Sequence, residues 1–120
     1  MSATTLVIGA SENPDRVSYT AIKRLLAIGV KVRALGIKPG KVDSVEIETG
    51  FPEIKNVGTV TLYISRAIQP QYYDYILSLK PGRVIFNPGT ENQDFRNKLN
   101  AAGIASEEAC TLVMLSVGTY

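Results

Sequence analysis

Histidine is absent from the 120-residue sequence, and cysteine occurs only once. Because histidine is the side chain whose ordinary pKa lies near neutrality, its absence excludes the usual general base and any Ser–His or Cys–His nucleophile within the chain. A single cysteine excludes an internal disulfide framework and favours a reducing compartment. No metal is expected either, because the carboxylates that cluster are Asp43, Glu46 and Glu48, which we interpret as solvated charges of a sheet edge.

An excess of charge of one sign is also missing, since 13 basic side chains face 11 acidic ones and the net charge is +2. This balance gives no overall field that would attract nucleic acid or an anionic membrane. No apolar run approaches the roughly 18 residues of a membrane span, and no signal-type segment opens the chain. We therefore expect a cytoplasmic protein with neither a nucleic acid nor a membrane as its partner.

The length favours a binding module over an enzyme. A chain of 120 residues is expected to form a single domain over residues 1–120, with one core and little room for a second lobe. Dinucleotide-dependent dehydrogenases need further residues to build a substrate site beside the cofactor. No residue is assigned a catalytic role, and the Cys110 thiol is either a nucleophile at a helix N-terminus or a buried small side chain.

Alternating strand and helix patterns run along the whole chain. Apolar, β-branched runs predict strands at residues 5–8, 30–35, 59–64 and 83–86, a short strand from 104, and a short edge strand over 42–47. Helical spacing predicts helices at residues 17–28, 70–79, 91–102 and 110–115, although the β-branched content of the last leaves a strand open. This alternation predicts an α/β fold of Rossmann type, with a doubly wound, mainly parallel sheet of about five strands and helices on both faces.

The segment from Leu6 to Tyr19 is predicted to form a strand, a glycine turn and a helix. Gly9 allows the backbone to approach a ligand closely, because glycine has no Cβ atom. Asn13 is expected to cap the helix and Pro14 to occupy its first turn. Because a helix N-terminus presents free N–H groups and the positive end of the macrodipole, this corner is predicted to bind an anion, typically a phosphate.

The first loop is not a full dinucleotide fingerprint. It matches G-x-G-x-x-G only at Gly9, because Ser11 and Pro14 occupy the other two glycine positions. The acid that usually ends the second strand and binds the ribose is also absent, since Gly36 follows Leu35 there. Both features weigh against NAD.

Ligands of such sheets bind beyond the carboxyl ends of the strands. That edge gathers the loops that begin at Gly9, Gly36, Ser65 and Asn87. The basic side chains expected near it are Arg16, Lys38, Lys41 and Arg66. If they bind a ligand, it carries more phosphate than NAD does, and coenzyme A and NADP both qualify. The alternative is that these four residues are ordinary solvated loop residues.

Several motifs resemble those of the small stand-alone CoA-binding proteins, over nearly the whole chain. They are Val7-Ile8-Gly9-Ala10-Ser11 with Asn13-Pro14, Lys38-Pro39-Gly40-Lys41, Asn87-Pro88-Gly89 and Cys110-Thr111-Leu112-Val113-Met114-Leu115. The chain is also similar to the CoA-binding domain of the succinyl-CoA synthetase α subunit, in which a Pro-Gly-Lys loop follows the second strand, as Pro39-Gly40-Lys41 does here. The phosphohistidine of that synthetase belongs to a further domain, and without histidine its ligase chemistry is excluded in this chain.

The resemblance implies that coenzyme A or an acyl-CoA is the cofactor. It implies that residues 9–11 and Asn13 face the CoA phosphates, that Lys41 contacts the nucleotide end, and that residues 63–66 and 87–90 line the rest. With the hydroxyl and basic residues near the same edge, the predicted binding residues are Gly9, Ala10, Ser11, Asn13, Arg16, Ser18, Lys38, Pro39, Lys41, Ser65, Arg66, Asn87, Pro88, Gly89 and Thr90. Ser18 is either a ligand hydroxyl or a local hydrogen bonder to the backbone.

The first hypothesis is therefore a non-catalytic domain that binds coenzyme A or acyl-CoA at the carboxyl edge of the sheet, with the phosphates at the first helix N-terminus. The alternatives are a small NAD(P)-binding oxidoreductase and an interaction module without a small ligand. A protein partner or a homo-oligomer is compatible with each hypothesis. Nucleic acid is disfavoured because Tyr72, Tyr73 and Tyr75 are not interleaved with basic residues.

Overall fold

Strands and helices alternate in the computed structural model, which describes residues 3–120. In chain order the strands are β1 (Thr4–Ile8), β2 (Lys31–Leu35), β3 (Gly40–Val42), β4 (Val45–Glu48), β5 (Val57–Leu62), β6 (Arg83–Phe86) and β7 (Ala105–Glu108). The helices are α1 (Val17–Ala27), α2 (Tyr73–Leu79), α3 (Gln93–Ala101) and α4 (Thr111–Val117), and a 3-10 turn at Gln69–Tyr72 precedes α2. The α/β class is confirmed, and the chain ends in a helix rather than a strand.

The seven strands form one sheet in the order β3-β4-β2-β1-β5-β6-β7. Neighbouring strands are parallel except β3 and β4, which form an antiparallel hairpin. The expected number of about five strands is too low, because β3 and β4 add two strands to the other five, in a region where one short edge strand was predicted. The turn of the hairpin consists of Asp43 and Ser44, and Asp43 adopts a φ of 51°. Asp tolerates this left-handed conformation better than most residues, so a tight turn forms without glycine.

Strand β1 is central and buried along its whole length. It pairs with β2 on one side and with β5 on the other, so the strand order reverses between β1 and β5. Leu6 and Ile8 belong to one hydrophobic cluster, whereas Val7 belongs to a second. Because successive strand residues point to opposite faces, these two clusters lie on the two faces of the sheet. Burial on both faces explains why the strand sequence shows no apolar–polar alternation.

Helices contribute to both clusters. Phe95 and Leu99 of α3 pack with Leu6 and Ile8, together with Ile76 of α2. On the other face, residues of α1 and α4 pack with Val7; the α1 side chains that join this cluster include Ile22 and Leu25. Both clusters include residues of the central strand, so the core holds the carboxyl ends of β1, β2, β5 and β6 in fixed relative positions.

The start of α1 differs from the prediction. The helix begins at Val17, and Arg16 is the N-cap residue, so Pro14 lies outside the helix. Asn13 does not cap it, because its Oδ1 accepts the N–H of Asp15 at 3.0 Å and its carbonyl accepts the N–H of Arg16 at 3.0 Å. This local turn, which short polar side chains favour, ends before the helix begins.

Residues 49–56 join β4 to β5 without forming a helix or strand. The segment carries the chain from one side of β1 to the other, and Ile54 within it is buried in the same cluster as Phe95. No helix within residues 3–120 combines the length and the apolar character that a membrane span requires.

Candidate functional site

The loops at the carboxyl ends of the parallel strands are joined by backbone hydrogen bonds. The N–H groups of Gly9 and Ala10 both donate to the carbonyl of Leu35, at 2.9 and 2.8 Å. The N–H of Tyr63 donates to the carbonyl of Ile8 at 2.8 Å. The exits of β1, β2 and β5 therefore form one continuous edge. The N–H groups of Gly9 and Ala10 are engaged within the protein, so they are not available to a ligand.

Two glycines allow these exits to approach one another. A Cβ atom on Gly9, whose φ is 95°, would lie 2.8 Å from the Tyr63 carbonyl carbon and oxygen. A Cβ atom on Gly36 would lie 2.5 Å from the carbonyl oxygen of Ala10. At both positions neighbouring backbone occupies the space that a Cβ atom would need. The exits of β2 and β5 therefore both lie in direct contact with the exit of β1.

The first loop, residues 9–16, presents unused N–H groups. Those of Ser11 and Glu12, and those of Val17 and Ser18 in the first turn of α1, make no hydrogen bond within residues 3–120. No side chain caps α1, and no acidic residue lies in its first turn. This end of α1 therefore has the properties of an anion-binding site.

The predicted contact residues of the first loop differ in accessibility. The Ser11 hydroxyl accepts the N–H of Asn13 at 3.1 Å, and both residues reach the surface. Arg16 is exposed, whereas Ala10 and Ser18 are buried, at 8% and 3% exposure. Although Ser18 is buried as a whole residue, its hydroxyl makes no hydrogen bond within residues 3–120 and is not fully enclosed, and its N–H belongs to the free first turn of α1.

The four predicted basic residues are all exposed: Arg16, Lys38, Lys41 and Arg66. None of them takes part in the ion pairs found in residues 3–120, which are Lys23–Asp43, Arg33–Glu48 and Arg96–Glu108. Their charges are therefore not neutralised by an acidic side chain. Lys38 and Pro39 lie in the loop between β2 and β3, and Arg66 lies in the loop after β5, next to the exposed Ser65.

Lys41 differs from the prediction in its setting. It belongs to strand β3 rather than to a loop, and it lines an open groove of about 640 Å³ beside the amino-terminal half of β2. A second groove of about 510 Å³ lies near the amino ends of β1 and β2 and is lined by Thr4, Glu53 and their neighbours. Neither groove is lined by a residue of the loops that follow β1, β2, β5 and β6. We place the candidate site at the carboxyl edge because the free N–H groups of the first loop and of the first turn of α1 lie there.

Glu12 was not identified from the sequence as part of this edge. Its Oε1 atom accepts the Lys41 N–H at 3.4 Å and lies 2.7 Å from the position of a Cβ on Gly40. A negative side chain of the first loop thus reaches across to the second. The sequence did contain one sign of its role, because an acidic residue is unexpected in a loop that is predicted to bind phosphate.

The loop after β6 is anchored by Asn87, which is 2% exposed. Its Nδ2 donates to Thr61 Oγ1 at 2.6 Å and to the Leu62 carbonyl at 2.9 Å, while its Oδ1 accepts the Thr111 N–H at 2.8 Å. The carbonyl of Asn87 in turn accepts the N–H and hydroxyl of Thr90. Asn87 and Thr90 were predicted to contact a ligand; both side chains are engaged inside the protein.

Pro88 and Gly89, at the tip of the same loop, are exposed. The hydrogen bonds of Asn87 and Thr90 fix the base of the loop, and therefore fix where this tip lies. Of the residues predicted in the β6 exit, the tip residues are the ones within reach of a ligand in solution.

Tyr63 has a buried hydroxyl without a hydrogen-bond partner among residues 3–120. Burial raises the pKa of this phenol, and the nearby hydroxyls of Thr111 and Thr61 partly oppose that shift. Cys110 also lies near it, half-buried at the N-cap position of α4. A buried hydroxyl without a partner is uncommon in folded proteins. Among residues 3–120, no cluster of cysteine and carboxylate side chains is arranged to hold a metal ion.

Comparison with known proteins identifies a family. A protein-family model described as "CoA binding domain" matches residues 3–116. No curated protein matches the sequence.

Solved structures share the fold. A crystal structure described as that of an uncharacterized protein is 46% identical, with a TM-score of 0.96, and the match covers 100% of this chain and 99% of the other. A hypothetical protein from Pyrococcus horikoshii OT3 is 20% identical, with a TM-score of 0.85 over 94% of this chain and 81% of its own. A protein from Thermus thermophilus is also 20% identical, with a TM-score of 0.85 over 99% and 91% of the two chains.

Proposed function

This chain belongs to the family of CoA binding domains, and from that membership we propose that it binds coenzyme A or an acyl-CoA at the carboxyl edge of the sheet. In this proposal the ligand phosphates lie at the N-terminus of α1. The exposed residues of the loops after β1, β2, β5 and β6 line the remainder of the site.

The observation that carries this proposal is the state of the α1 N-terminus. It has no side-chain cap, no acid in its first turn, and free N–H groups at Val17 and Ser18. Free N–H groups that remain exposed are satisfied by water or by an anion. A phosphate there would accept those N–H groups and interact favourably with the helix dipole.

The surrounding residues fit a ligand with several phosphates. Arg16, Lys38 and Arg66 are exposed cations without acidic partners in the described chain. The glycines at positions 9 and 36 keep side chains away from the junction of the three loops. When bound, coenzyme A would supply a thiol that carries an acyl group; this chain's own contribution is to bind and orient the nucleotide end.

We propose that the binding is not coupled to catalysis. Histidine is absent, so the half-buried Cys110 thiol cannot form the Cys–His pair of a nucleophilic site within this chain. A role as a carrier, a sensor or a subunit that presents the ligand to another protein is consistent with this set of residues.

Thermal unfolding and isothermal titration of the whole chain test the proposal. The ligands compared are coenzyme A, acetyl-CoA, 3′-phosphoadenosine 5′-phosphate, NAD, NADP and ATP. Saturation at a hundred times the dissociation constant stabilises the folded state by about 2.7 kcal/mol, which raises the Tm by several degrees. A response limited to CoA compounds supports the proposal. A response to NAD or NADP alone favours the oxidoreductase, and no response favours an interaction module.

Lys38→Gln and Lys31→Gln form a matched pair that locates the site. Lys38 is exposed at the carboxyl edge, whereas Lys31 is exposed at the amino end of β2, on the opposite edge of the sheet. Lys38→Gln is expected to weaken CoA binding and to reduce its salt dependence, and Lys31→Gln is expected to change neither. Equal effects of the two variants would contradict the placement.

A further inference from the structure

We propose that Gln69 is a positioning residue that sets the separation between the loops after β5 and β6, and so shapes the ligand site. This inference rests on the proposed function, since it concerns the same edge of the sheet. Gln69 was not among the residues predicted from sequence. It is fully buried, at 0% exposure, although it lies between two exposed residues, Ile68 and Pro70.

Both sides of the Gln69 amide are used. Its Nε2 donates to the Ile64 carbonyl at 3.0 Å and to the Thr90 carbonyl at 2.7 Å. Its Oε1 accepts from Asn92 Nδ2 at 2.9 Å. One planar group therefore spans the exits of two adjacent strands, β5 and β6, and its hydrogen bonds fix the distance between their main chains.

Asn92 holds the Gln69 amide in this orientation. Besides donating to Gln69, its Nδ2 donates to the Tyr73 hydroxyl at 2.8 Å, and its Oδ1 accepts the Phe95 N–H at 3.1 Å as the N-cap of α3. The orientation is unambiguous because Ile64 and Thr90 present only carbonyl oxygens to Gln69, so the donor side of its amide must face them. The network links both loops to the start of α3.

The exposed residues predicted to contact the ligand lie next to the two carbonyls that Gln69 binds. Ser65 and Arg66 directly follow Ile64, and Gly89 directly precedes Thr90. All hydrogen bonds of the buried amide go to the Ile64 and Thr90 carbonyls and to Asn92, and none goes to these exposed side chains. Gln69 acts by placing the backbone from which they project, which is why we describe it as a positioning residue.

Gln69→Glu tests this role, because it changes the amide to a carboxyl group of nearly the same size. An ionised carboxylate cannot donate, so it would place negative charge against the two carbonyl oxygens of Ile64 and Thr90. We expect coenzyme A, used as the probe, to bind about tenfold more weakly at pH 8. A buried carboxyl between acceptors has a raised pKa, and its protonated form regains one donor. The affinity ratio between wild type and variant should therefore shrink as the pH falls toward 5.5.

Gln71→Glu is the matched control. Gln71 is exposed two residues away, so the substitution introduces the same charge without entering the network. Its affinity should follow that of the wild type at every pH. A merely structural role for Gln69 would lower the Tm of Gln69→Glu but leave both the affinity of the folded protein and its pH profile unchanged, and that result would overturn the inference.

Asn92→Asp covers the case in which Gln69→Glu does not fold. The aspartate retains the N-cap oxygen for Phe95 but loses the donors to Gln69 and Tyr73. Weaker CoA binding by Asn92→Asp, measured at a temperature where the variant is fully folded, supports positioning by this network, and unchanged binding contradicts it. If the wild type and Gln71→Glu do not bind coenzyme A at all, the proposed function fails; if they bind and both network variants bind equally well, the positioning role alone fails.

Discussion

The carbonyl group of Tyr63 lies 2.8 Å from the place where a side chain on Gly9 would begin. The Ile64 Cγ2 atom is 3.0 Å from the same point. Carbon atoms in proteins do not approach backbone atoms so closely without displacement. The exits of β1 and β5, between which the strand order reverses, are therefore in direct backbone contact because position 9 has no Cβ atom.

Gly9→Ala is expected to destabilise the protein by about 3 kcal/mol, through the left-handed φ and through displacement of the β5 exit. Gly29→Ala separates the two causes. Gly29 has a similar φ of 83°, but a Cβ there would meet nothing within 4 Å, so we expect a loss of about 1 kcal/mol. Urea unfolding measures both. If the two variants lost the same free energy of unfolding, the backbone at Tyr63 would have to move away from the new Cβ atom without a measurable loss of stability.

The Tyr63 hydroxyl makes the free energy of unfolding depend on pH in the alkaline range. Burial raises the pKa of this phenol above its ordinary value of 10.0, so the folded state holds the proton more tightly than the unfolded chain does. The contribution to stability is complete below pH 10 and is lost as the pH rises through the folded-state pKa. Tyr63→Phe should remove this part of the alkaline decline and, since an unpaired buried hydroxyl is also removed, stabilise the protein by about 1 kcal/mol at pH 7.

Tyr75→Phe provides the contrast for Tyr63. The pKa of Tyr75 is likewise raised, chiefly by burial, but its hydroxyl donates to the Pro52 carbonyl at 2.6 Å. Its removal should therefore cost about 1 kcal/mol at pH 7. Chemical denaturation between pH 7 and 11 distinguishes the two variants. A loss of stability in Tyr63→Phe at pH 7 would show that its hydroxyl has a partner in solution.

Asn87→Asp should destabilise the protein by about 3 kcal/mol, because an acceptor would face Thr61 Oγ1 and the Leu62 carbonyl where a donor now binds both. Asn97→Asp is the control, since Asn97 is exposed on α3. The free energy of unfolding should change by less than about 0.5 kcal/mol there. Similar losses in both variants would place the origin in added charge rather than in the buried hydrogen bonds.

Glu12→Gln should tighten binding of coenzyme A about threefold at low salt, because the Glu12 carboxylate extends from the first loop to the Lys41 N–H and repels an incoming phosphate. The gain should vanish at high ionic strength. Asp74→Asn, at an exposed position on α2, removes an equal charge elsewhere and should leave the affinity unchanged. A weaker affinity of Glu12→Gln, measured by titration calorimetry, would mean that Glu12 supports the bound state.

Local sequence patterns predicted the strands of the parallel sheet and the glycine corner, because burial on both faces and close backbone approach each leave a residue signature. Patterns failed at the turn formed by Asp43 and Ser44, which lacks glycine, and at the start of α1, where the Asn13 side chain closes its own turn ahead of the helix. At the first place Asp43 adopts a left-handed conformation that is usually assigned to glycine. At the second, Asn13 forms a local turn although its residue type and position are typical of a helix N-cap.

That a ligand binds at the carboxyl edge stays a prediction, and the structural roles of the residues along this edge were only partly accessible from the sequence. Asn87 was predicted as a ligand contact, whereas its amide binds Thr61, Leu62 and Thr111 within the protein. Gln69 was missed. Hydrogen bonds between residues that are more than 20 positions apart leave no periodic or local signal, so neither role can be read from the sequence.

The connection formed by residues 49–56 divides the chain into two halves. Before it lie β1 to β4 and α1; after it lie β5 to β7 and the remaining helices. These two halves meet along the ladder in which Thr5–Ile8 face Thr59–Leu62, and α1 packs against α4 across the same boundary. The fold thus consists of two complementary halves of one chain. Residues 49–56 are the tether that keeps each half at a high effective concentration relative to the other.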